Sequence, residues 1–275
     1  LSCAIMLKLP WFVCLLVATL FGGIWGAIPG LFKALLNINE VLACIMTNWI
    51  AANLVTWLFD ISNFKNVTEG TKTAYVYKTT FNGVATPKLG LDKLFPNSQV
   101  NAGILIAIVF AIVMYVFINK TTLGYELKTC GSNRHAARYA GMKEDRNIIT
   151  TMLISGALAG MGAGLLFLTG IEDWETTVSA VPGMGFNGIA VAFLGGLSPI
   201  GSILSAFFIQ YITTGGGNVD LQVYCAQISS LISSLIIYLC AFVAFFKLFI
   251  QNRIRVNDEK KAALAAENKE GGQEK

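Results

Sequence analysis

Long windows without a charged side chain alternate with short charged stretches along this chain. Each window is long enough to cross about 30 Å of hydrocarbon at about 1.5 Å of rise per helical residue. An open backbone would leave its polar groups unsatisfied inside hydrocarbon, so these windows are expected to be helical. The pattern predicts about five full transmembrane helices, at Trp11–Phe32, Val41–Phe59, Asn101–Ile118, Ile148–Ile171 and Leu221–Phe246.

The loop at residues 119–147 predicts how the helices are oriented. Its six bases outnumber its three acids, and short loops rich in Lys and Arg stay in the cytosol. Counting crossings from this loop predicts that residues 33–40 are cytosolic, and that the N-terminus and residues 60–100 and 171–175 lie outside. Five bases from Lys247 to Lys261, close to the last span, predict separately that the C-terminus is cytosolic. The five lysines of the outer loop 60–100 fit this rule poorly, although long loops count weakly in it. The six bases are Lys120, Lys128, Arg134, Arg138, Lys143 and Arg146, and the acids are Glu126, Glu144 and Asp145.

Residues 176–219 form a stretch of 44 residues without a charge, yet both of its ends are predicted to lie outside. Glycine clusters interrupt it near residues 183–188, 195–201 and 215–217. The remaining pieces, about Gly188–Leu194 and Ser202–Thr214, would rise only about 10 Å and about 20 Å as helices, so neither would cross the membrane. We therefore predict a re-entrant pair of half-helices. Two full but kinked spans are the alternative.

The fold class is thus an all-α polytopic membrane protein. Residues 1–250 are predicted to form the transmembrane domain and residues 251–275 a charged cytosolic tail. Because the chain begins with Leu1 and its first residues lack the features of a signal peptide, we expect N-terminal spans to be missing.

Composition supports a membrane protein and argues against several other classes. With 55% hydrophobic residues, 13% charged residues and a mean hydropathy of +0.62, the chain is too apolar for a water-soluble domain of 275 residues. Its net charge of +4 is explained by bases beside the spans, so nucleic-acid binding is not expected. The six cysteines include no C-x-x-C pair, which argues against a disulfide framework or a metal site.

Trp49, Asn53 and Trp57 are spaced to share one helix face. Aromatic rings stack on flat solutes and an amide supplies donors and acceptors, so this face could line a solute path. Alternatively, Trp57 belongs to the aromatic belt at the outer interface and the face only packs. Asn48 and Asn187 are further uncharged polar groups at membrane depth, and each needs a partner or a cavity.

Two rows of glycines four residues apart are expected to let helices approach closely. They are Gly22, Gly26 and Gly30 in the first span and Gly156, Gly160 and Gly164 in the fourth. The sequence Gly183-Met-Gly185-Phe-Asn-Gly188 matches a dinucleotide-binding pattern, but it lies in an apolar stretch rather than between a strand and a helix. We interpret it as a close-packed glycine turn.

Catalytic and metal-binding chemistry are not indicated. His135 is the only histidine, and neither metal ligands nor a Ser and Asp pair accompany it at suitable spacing. The chain is therefore predicted to be no enzyme and to hold no cofactor.

The run E-L-K-T-C-G-S-N-R-H-A-A-R-Y-A-G-M at Glu126–Met142 resembles the cytoplasmic coupling segment of ABC importer permeases. The resemblance is to the sugar, nucleoside and branched-chain amino acid group, and within it to the nucleoside or simple-sugar branch served by a basic-membrane-protein type lipoprotein. Further similar stretches follow in the expected order: Gly26–Lys33, Asn39–Val41, Met46–Asn48, Gly185–Ala192 and Gly195–Pro199.

This resemblance implies partners that the residues alone do not indicate. It implies a second permease subunit, identical or related, and a cytosolic ATPase that holds the ATP and magnesium. It also implies an external lipoprotein that delivers a nucleoside or sugar, and a bacterial cell membrane. The outer loop 60–100 is longer than such permeases lead us to expect, which leaves docking on that side open.

The resemblance further assigns the ATPase contact to the stretch from Gly124 to Gly141, here called the 124–141 segment. Gly131 and Gly141 are expected to let it turn in its middle and at its end, and Ala136, Ala137 and Ala140 to form a small packing face. Arg134 and Arg138 share the opposite side. The alternative is an ordinary basic loop. Residues predicted to take part in coupling are Glu126, Gly131, Arg134, Ala136, Ala137, Arg138, Ala140 and Gly141.

The predicted function is the permease subunit of an ATP-driven importer for a nucleoside or a simple sugar. A branched-chain amino acid permease is one alternative. A secondary transporter is another, but it would need acids within its spans for ion coupling. A non-transporting scaffold would have no use for costly buried amides. The predicted solute path comprises Asn48, Trp49, Asn53, Phe186 and Asn187.

Overall fold

The computed structural model describes residues 9–61, 86–87, 101–169, 181 and 183–217, together with isolated positions between 231 and 253. Within this part of the chain every regular element is an α-helix. The chain forms two compact units, residues 1–182 and 183–275. The predicted division into a membrane domain at 1–250 and a tail at 251–275 stays a prediction, because the tail lies almost wholly outside the described residues.

The described part of the first unit consists of long apolar helices joined by short polar ones. In chain order they are α1 (Trp11–Leu36), α2 (Glu40–Ile61), α3 (Gly103–Lys120), α4 (Thr122–Ser132), α5 (Arg134–Tyr139) and α6 (Glu144–Leu168).

Four of these helices, α1, α2, α3 and α6, are long and apolar enough to cross a membrane. They confirm helices at the positions of four of the five predicted spans. Helix α6 begins at Glu144, ahead of the predicted span, because acidic side chains suit the positive end of the helix dipole. The fifth predicted span, Leu221–Phe246, lies mostly outside the described residues, and the isolated positions described there are helical. Loop 171–175 and nearly all of loop 60–100 also lie outside them.

Helices α1 and α6 pack against each other in antiparallel directions through their two glycine rows. Gly22 lies against Gly156 and Gly160, and Gly26 lies against Gly156 and Met152. A Cβ added to Gly22 would lie 2.5 Å from the carbonyl oxygen of Gly156 and 2.7 Å from the Cα of Gly160. The predicted close approach is confirmed, and the structure adds that the two rows face each other.

The loops of the first unit fall into two groups at opposite ends of its helices. At one end, Arg134 Nη1 donates a hydrogen bond to Oδ1 of Asn37, in the turn between α1 and α2, at 3.4 Å. At the other end, the backbone N–H of Thr86 donates to the carbonyl of Leu168 at 3.4 Å. This grouping confirms that residues 33–40 share one side with the 119–147 loop, and it places Thr86, from the predicted outer loop, beside the end of α6.

The described part of the second unit contains α7 (Met184–Leu194) and α8 (Pro199–Gly217), joined by one tight turn. Both helices extend beyond the predicted pieces Gly188–Leu194 and Ser202–Thr214. Helix α7 runs through the glycines at 185 and 188, and α8 runs through those at 215–217, because a single glycine costs a helix only about 1 kcal/mol. The predicted inner boundaries at Gly188 and Thr214 are therefore wrong, and Gly185 and Gly188 are helical residues with open surroundings rather than a close-packed turn.

The break in the middle of this unit is confirmed. Gly196 and Leu197 adopt left-handed backbone, with φ of 65° and 56°. Gly195 and Gly201 lie so close that a Cβ on Gly195 would be 2.5 Å from the backbone nitrogen of Ser202. The 19 residues of α8 would rise about 28 Å, more than predicted. The re-entrant arrangement therefore stays a prediction, as does its alternative of two spans.

Candidate functional site

The 124–141 segment forms two helices with a break at Asn133. This residue has extended backbone, with φ of −151° and ψ of 105°. Its Oδ1 accepts a hydrogen bond from the backbone N–H of Ala136 at 3.1 Å, which caps the start of α5. The turn therefore lies at Asn133, and the prediction that Gly131 provides it is wrong, because Gly131 lies inside α4.

A second cap fixes the start of α4 directly after α3. The hydroxyl of Thr121 accepts a hydrogen bond from the N–H of Gly124 at 3.0 Å and donates to the carbonyl of Phe117 at 2.6 Å. Gly124 is buried, and a Cβ on it would lie 2.6 Å from the carbonyl oxygen of Ile118. Glycine thus lets α4 fold back closely against the end of α3. Sequence reasoning missed Thr121, although a threonine ahead of a helical segment is a recognised start signal.

Helix α5 has one buried and one half-buried position, and its other four residues are exposed. Ala137 is 0% exposed, whereas Tyr139 is 95% exposed. Ala136 and Ala140 are exposed too, so the three alanines do not share one packing face. Ala137 packs against the chain itself and holds α5 in place. The tyrosine was not singled out from the sequence, since a helix of six residues is too short for a periodic pattern to indicate its outer face.

The end of α5 matches the predicted turn at Gly141. This glycine has a φ of 78°, a left-handed value that suits glycine. Its N–H donates to the carbonyl of Arg138 at 3.0 Å, and the N–H of Met142 donates to the carbonyl of Ala137 at 3.1 Å. These bonds satisfy the last carbonyls of α5 and lead the chain directly into α6.

Ion pairs join α5 to the first turn of α6. Arg134 Nε lies 2.9 Å from Glu144 Oε2, and Arg134 Nη2 lies 3.6 Å from Asp145 Oδ1. Arg138 Nη1 lies 3.6 Å from Glu144 Oε1, but the Arg138 side chain is 75% exposed. Arg134 therefore carries most of the interaction with α6. Glu126, the one acid among the predicted coupling residues, is half-buried on α4.

A cleft of about 390 Å³ opens where α5 meets α6. Three basic and two acidic side chains contribute to its walls, so its lining is basic on balance. The lining residues are Arg138, Met142, Lys143, Glu144, Asp145 and Arg146. Nearby on α4, burial raises the pKa of the Cys130 thiol, which keeps this cysteine protonated at neutral pH and therefore a weak nucleophile.

The candidate solute path begins on α2. Asn48, Trp49, Asn53 and Trp57 are all exposed, whereas Ala43, Thr47 and Ala52 are buried. The aromatic and amide face of α2 is thus the face that the described part of the chain leaves uncovered. The amide Nδ2 of Asn53 donates to the carbonyl of Trp49 at 2.8 Å. This bond lowers the free-energy cost of placing the Asn53 amide in hydrocarbon. That cost is therefore a weaker reason to expect a polar path here than the sequence alone suggested.

The other predicted path residues belong to the second unit. Phe186 and Asn187 lie in the first turn of α7, and both side chains are exposed. Among the described residues no group of three or more His, Cys, Asp or Glu side chains could hold a metal ion. The features of the described residues are therefore contacts between helices and polar helix faces that the chain leaves uncovered.

Comparison with known proteins places these features in context. A family model described as "Branched-chain amino acid transport system / permease component" matches residues 1–241. The guanosine ABC transporter permease protein NupP of Bacillus subtilis is 37% identical over 210 residues, which make up 76% of this chain and 58% of that protein. No solved structure matches the chain significantly.

The names of two further relatives mention different solutes. The nucleoside ABC transporter permease protein NupB of Lactococcus lactis is 33% identical over 236 residues, covering 86% of this chain and 64% of the relative. The glucose ABC transporter permease protein TsgB13 of Haloferax volcanii is 28% identical over 239 residues, covering 84% and 61%. The chain thus spans less than two thirds of the length of each of these relatives.

Proposed function

This chain belongs to the branched-chain amino acid transport system permease family, and from that premise we propose that it is the membrane-spanning permease subunit of an ABC importer. The proposed solute is a nucleoside or a simple sugar. Membership of this family makes the chain a multi-pass membrane transport component rather than an enzyme. ATP and magnesium would be held by a separate cytosolic ATPase.

The observation that carries the proposal is the construction of α5. This short helix is fixed by a buried alanine and by ion pairs, yet it presents an almost fully exposed tyrosine. A protruding aromatic on a rigidly held helix is the kind of anchor that protein interfaces use. We therefore propose that α5, with Tyr139 and Arg138 on its exposed surface, is the ATPase contact.

The remaining partners follow from the importer architecture. A second permease subunit, identical or related, would complete the translocation path, and an external lipoprotein would deliver the solute. Uncovered apolar side chains support the need for a partner or lipid, since none of the residues of α3 is buried within the described part of the chain. We further propose that the C-terminus is cytosolic, that the membrane is bacterial, and that α7 and α8 form a re-entrant pair.

The proposed solute class is supported by the names of three relatives and by the chemistry of the α2 face. Indole rings at Trp49 and Trp57 offer flat apolar surfaces, and Asn48 and Asn53 supply uncharged donors and acceptors. Such groups suit a neutral ring with several polar substituents. We propose that Phe186 and Asn187 line the same path.

Two alternatives differ in solute or in energy source. A branched-chain amino acid would require groups that recognise its carboxylate and ammonium, and the proposed path has no charged side chain. A secondary transporter would require acids within its spans. Among the acids in the described spans, Glu40 begins α2 and Asp60 lies next to its last residue, while Glu144 and Asp145 begin α6, so none lies at the centre of a span.

The decisive experiment is purification of the protein in mild detergent from cells that contain its native partners. An ATPase and a lipoprotein should co-purify, and vesicles carrying the complex should import guanosine or glucose only with ATP inside. Uptake driven by an ion gradient without ATP would support the secondary transporter. Recovery of the chain without any ATPase would contradict the proposal.

A matched pair of tyrosines tests the contact itself. Tyr139→Ala should lower ATPase recovery by about tenfold, because a hot-spot aromatic contributes roughly 1.5 kcal/mol or more to an interface. Tyr125→Ala removes another exposed tyrosine, on α4, and should leave recovery unchanged. Equal losses for both variants would contradict the assignment of α5.

A further inference from the structure

We infer that Arg134 is a positioning residue that fastens α5 to two membrane helices at once, so that α5 cannot move without moving α1 and α6. The inference rests on the proposed function, since it says how movement imposed on α5 reaches the membrane. Arg134 in this role does not contact the ATPase. It acts within the chain, through its hydrogen bonds and ion pairs.

The guanidinium of Arg134 reaches three side chains on two separate segments. Its Nε lies 2.9 Å from Oε2 of Glu144, and its Nη2 lies 3.6 Å from Oδ1 of Asp145. Its Nη1 donates to Oδ1 of Asn37 at 3.4 Å, a contact between residues 97 positions apart in the chain. A planar fork of fixed donors can bridge such partners, whereas a lysine ammonium acts as a single point charge.

The ion pair of this junction is partly shielded from water, whereas the bond from Arg134 to Asn37 is exposed. The Arg134 side chain is 33% exposed and that of Glu144 is 16% exposed, so their ion pair is less screened than a pair on an open surface. Asn37 is itself held in place, because its left-handed backbone ends α1 and its N–H donates to the carbonyl of Phe32. Its amide oxygen is thus presented from a defined position.

The two helices that Arg134 joins are already packed into one body. Glycines of α1 and α6 leave no room for a Cβ between them, from Gly22 against Gly160 to Gly30 against Met152. Packed helices of this kind move together rather than bend. A displacement of α5 transmitted through Arg134 would therefore shift α1 and α6 as a pair.

The experiment uses the complete importer in vesicles, with guanosine as the transported probe. For Arg134→Gln we expect a roughly threefold to tenfold fall in guanosine imported per ATP hydrolysed by the recovered complex, a ratio that does not depend on how much ATPase is recovered. Arg134→Lys should give an intermediate ratio, because it keeps the charge near Glu144 but cannot reach Asn37 as well.

Substitutions of Asn37 remove the hydrogen bond between α5 and the end of α1 from its other side. Asn37→Gly removes the acceptor while keeping a residue that tolerates positive φ, so it should lower the import ratio without unfolding the turn. Asn37→Asp keeps the acceptor oxygen and should retain the ratio. As the matched control, Lys128→Gln removes a basic charge from the exposed surface of α4 and should change nothing.

The outcomes separate this inference from the proposed function. If no ATPase is recovered with the parent protein, the proposed function fails. If the ATPase is recovered and both Arg134→Gln and Asn37→Gly keep the parent ratio of import to hydrolysis, the inference is overturned. An equal loss for Lys128→Gln would also overturn it, because the effect would then depend on net charge alone.

Discussion

The glycines of the α1–α6 contact and those within helix α7 have opposite surroundings. Between α1 and α6, a Cβ on Gly26 or Gly156 would lie 2.8 Å from the facing Cα of the other helix. In α7, Gly185 and Gly188 have no atom within 4 Å of where a Cβ would be. The glycines of α1 and α6 permit contact between the two backbones, whereas those of α7 leave an open groove along the helix. The same residue type at similar spacing thus has two different structural roles.

The largest effect is expected where the backbones touch. Gly160→Ala would place a Cβ 2.9 Å from the Cα of Gly22, so the helices must separate, and the free energy of unfolding should fall by about 1–3 kcal/mol. Thermal unfolding in detergent measures the change. Gly162→Ala is the control on the same helix, because its Cβ would meet nothing within 4 Å. Equal destabilisation by both changes would show that helix α6 does not pack in this way.

A smaller effect is expected at the turn between α7 and α8. Gly195→Ala would bring a Cβ to 2.6 Å from the carbonyl carbon of Gly201, and we expect a loss of about 1–2 kcal/mol. The loss is smaller because the colliding residues are close in sequence and a local shift relieves the collision. Gly215→Ala, whose Cβ would lie in open space, should be neutral or stabilising. If Gly195→Ala were neutral as well, the tight turn would be contradicted.

The open glycines of α7 should respond in the opposite direction. Gly188→Ala should raise the free energy of unfolding by about 0.5–1 kcal/mol, because alanine loses less backbone entropy in a helix. Thermal unfolding of the isolated protein and solute uptake by the complete importer should both be measured. The expected rise in stability of the isolated protein combined with lost uptake would show that a partner or the solute occupies this groove, whereas a fall in stability would contradict the open surroundings of Gly188.

Chemical labelling at the turn between α7 and α8 tests where this hairpin lies in the membrane without altering stability. Ser198→Cys is nearly isosteric and places a thiol in the turn between α7 and α8. If this hairpin is re-entrant, membrane-impermeant thiol reagents added from either side should label it no more than they label the parent protein. Efficient labelling from the cytosolic side would contradict the re-entrant arrangement and support two complete spans.

The spans were predictable because length and the absence of charge decide them, as in α1 and α3. The detailed form of the 124–141 segment was harder to predict. Gly131 is the stronger helix breaker by propensity, yet the helix passes through it and breaks at Asn133, whose side chain caps α5. Local propensity could not show which cap the fold would use.

Only part of the candidate site could be predicted from the sequence, for a similar reason. Arg134 was recognised as part of the segment, but its bond to Asn37 joins residues 97 positions apart, and no local pattern encodes such a pair. Ala137 is buried and Tyr139 is exposed because of the way the six-residue helix α5 packs against the rest of the chain, which the local sequence does not specify. The roles assigned to the coupling and path residues stay predictions.

The antiparallel contact of α1 with α6 also has a consequence for how the protein is made. Roughly a hundred residues separate the end of α1 from the start of α6. At about 5–20 residues per second, a ribosome needs roughly 5 to 20 s to synthesise them. During that interval the glycine row of α1 is without its partner on α6. Pairing of these two helices can therefore begin only after the polar segment that precedes α6 has been synthesised.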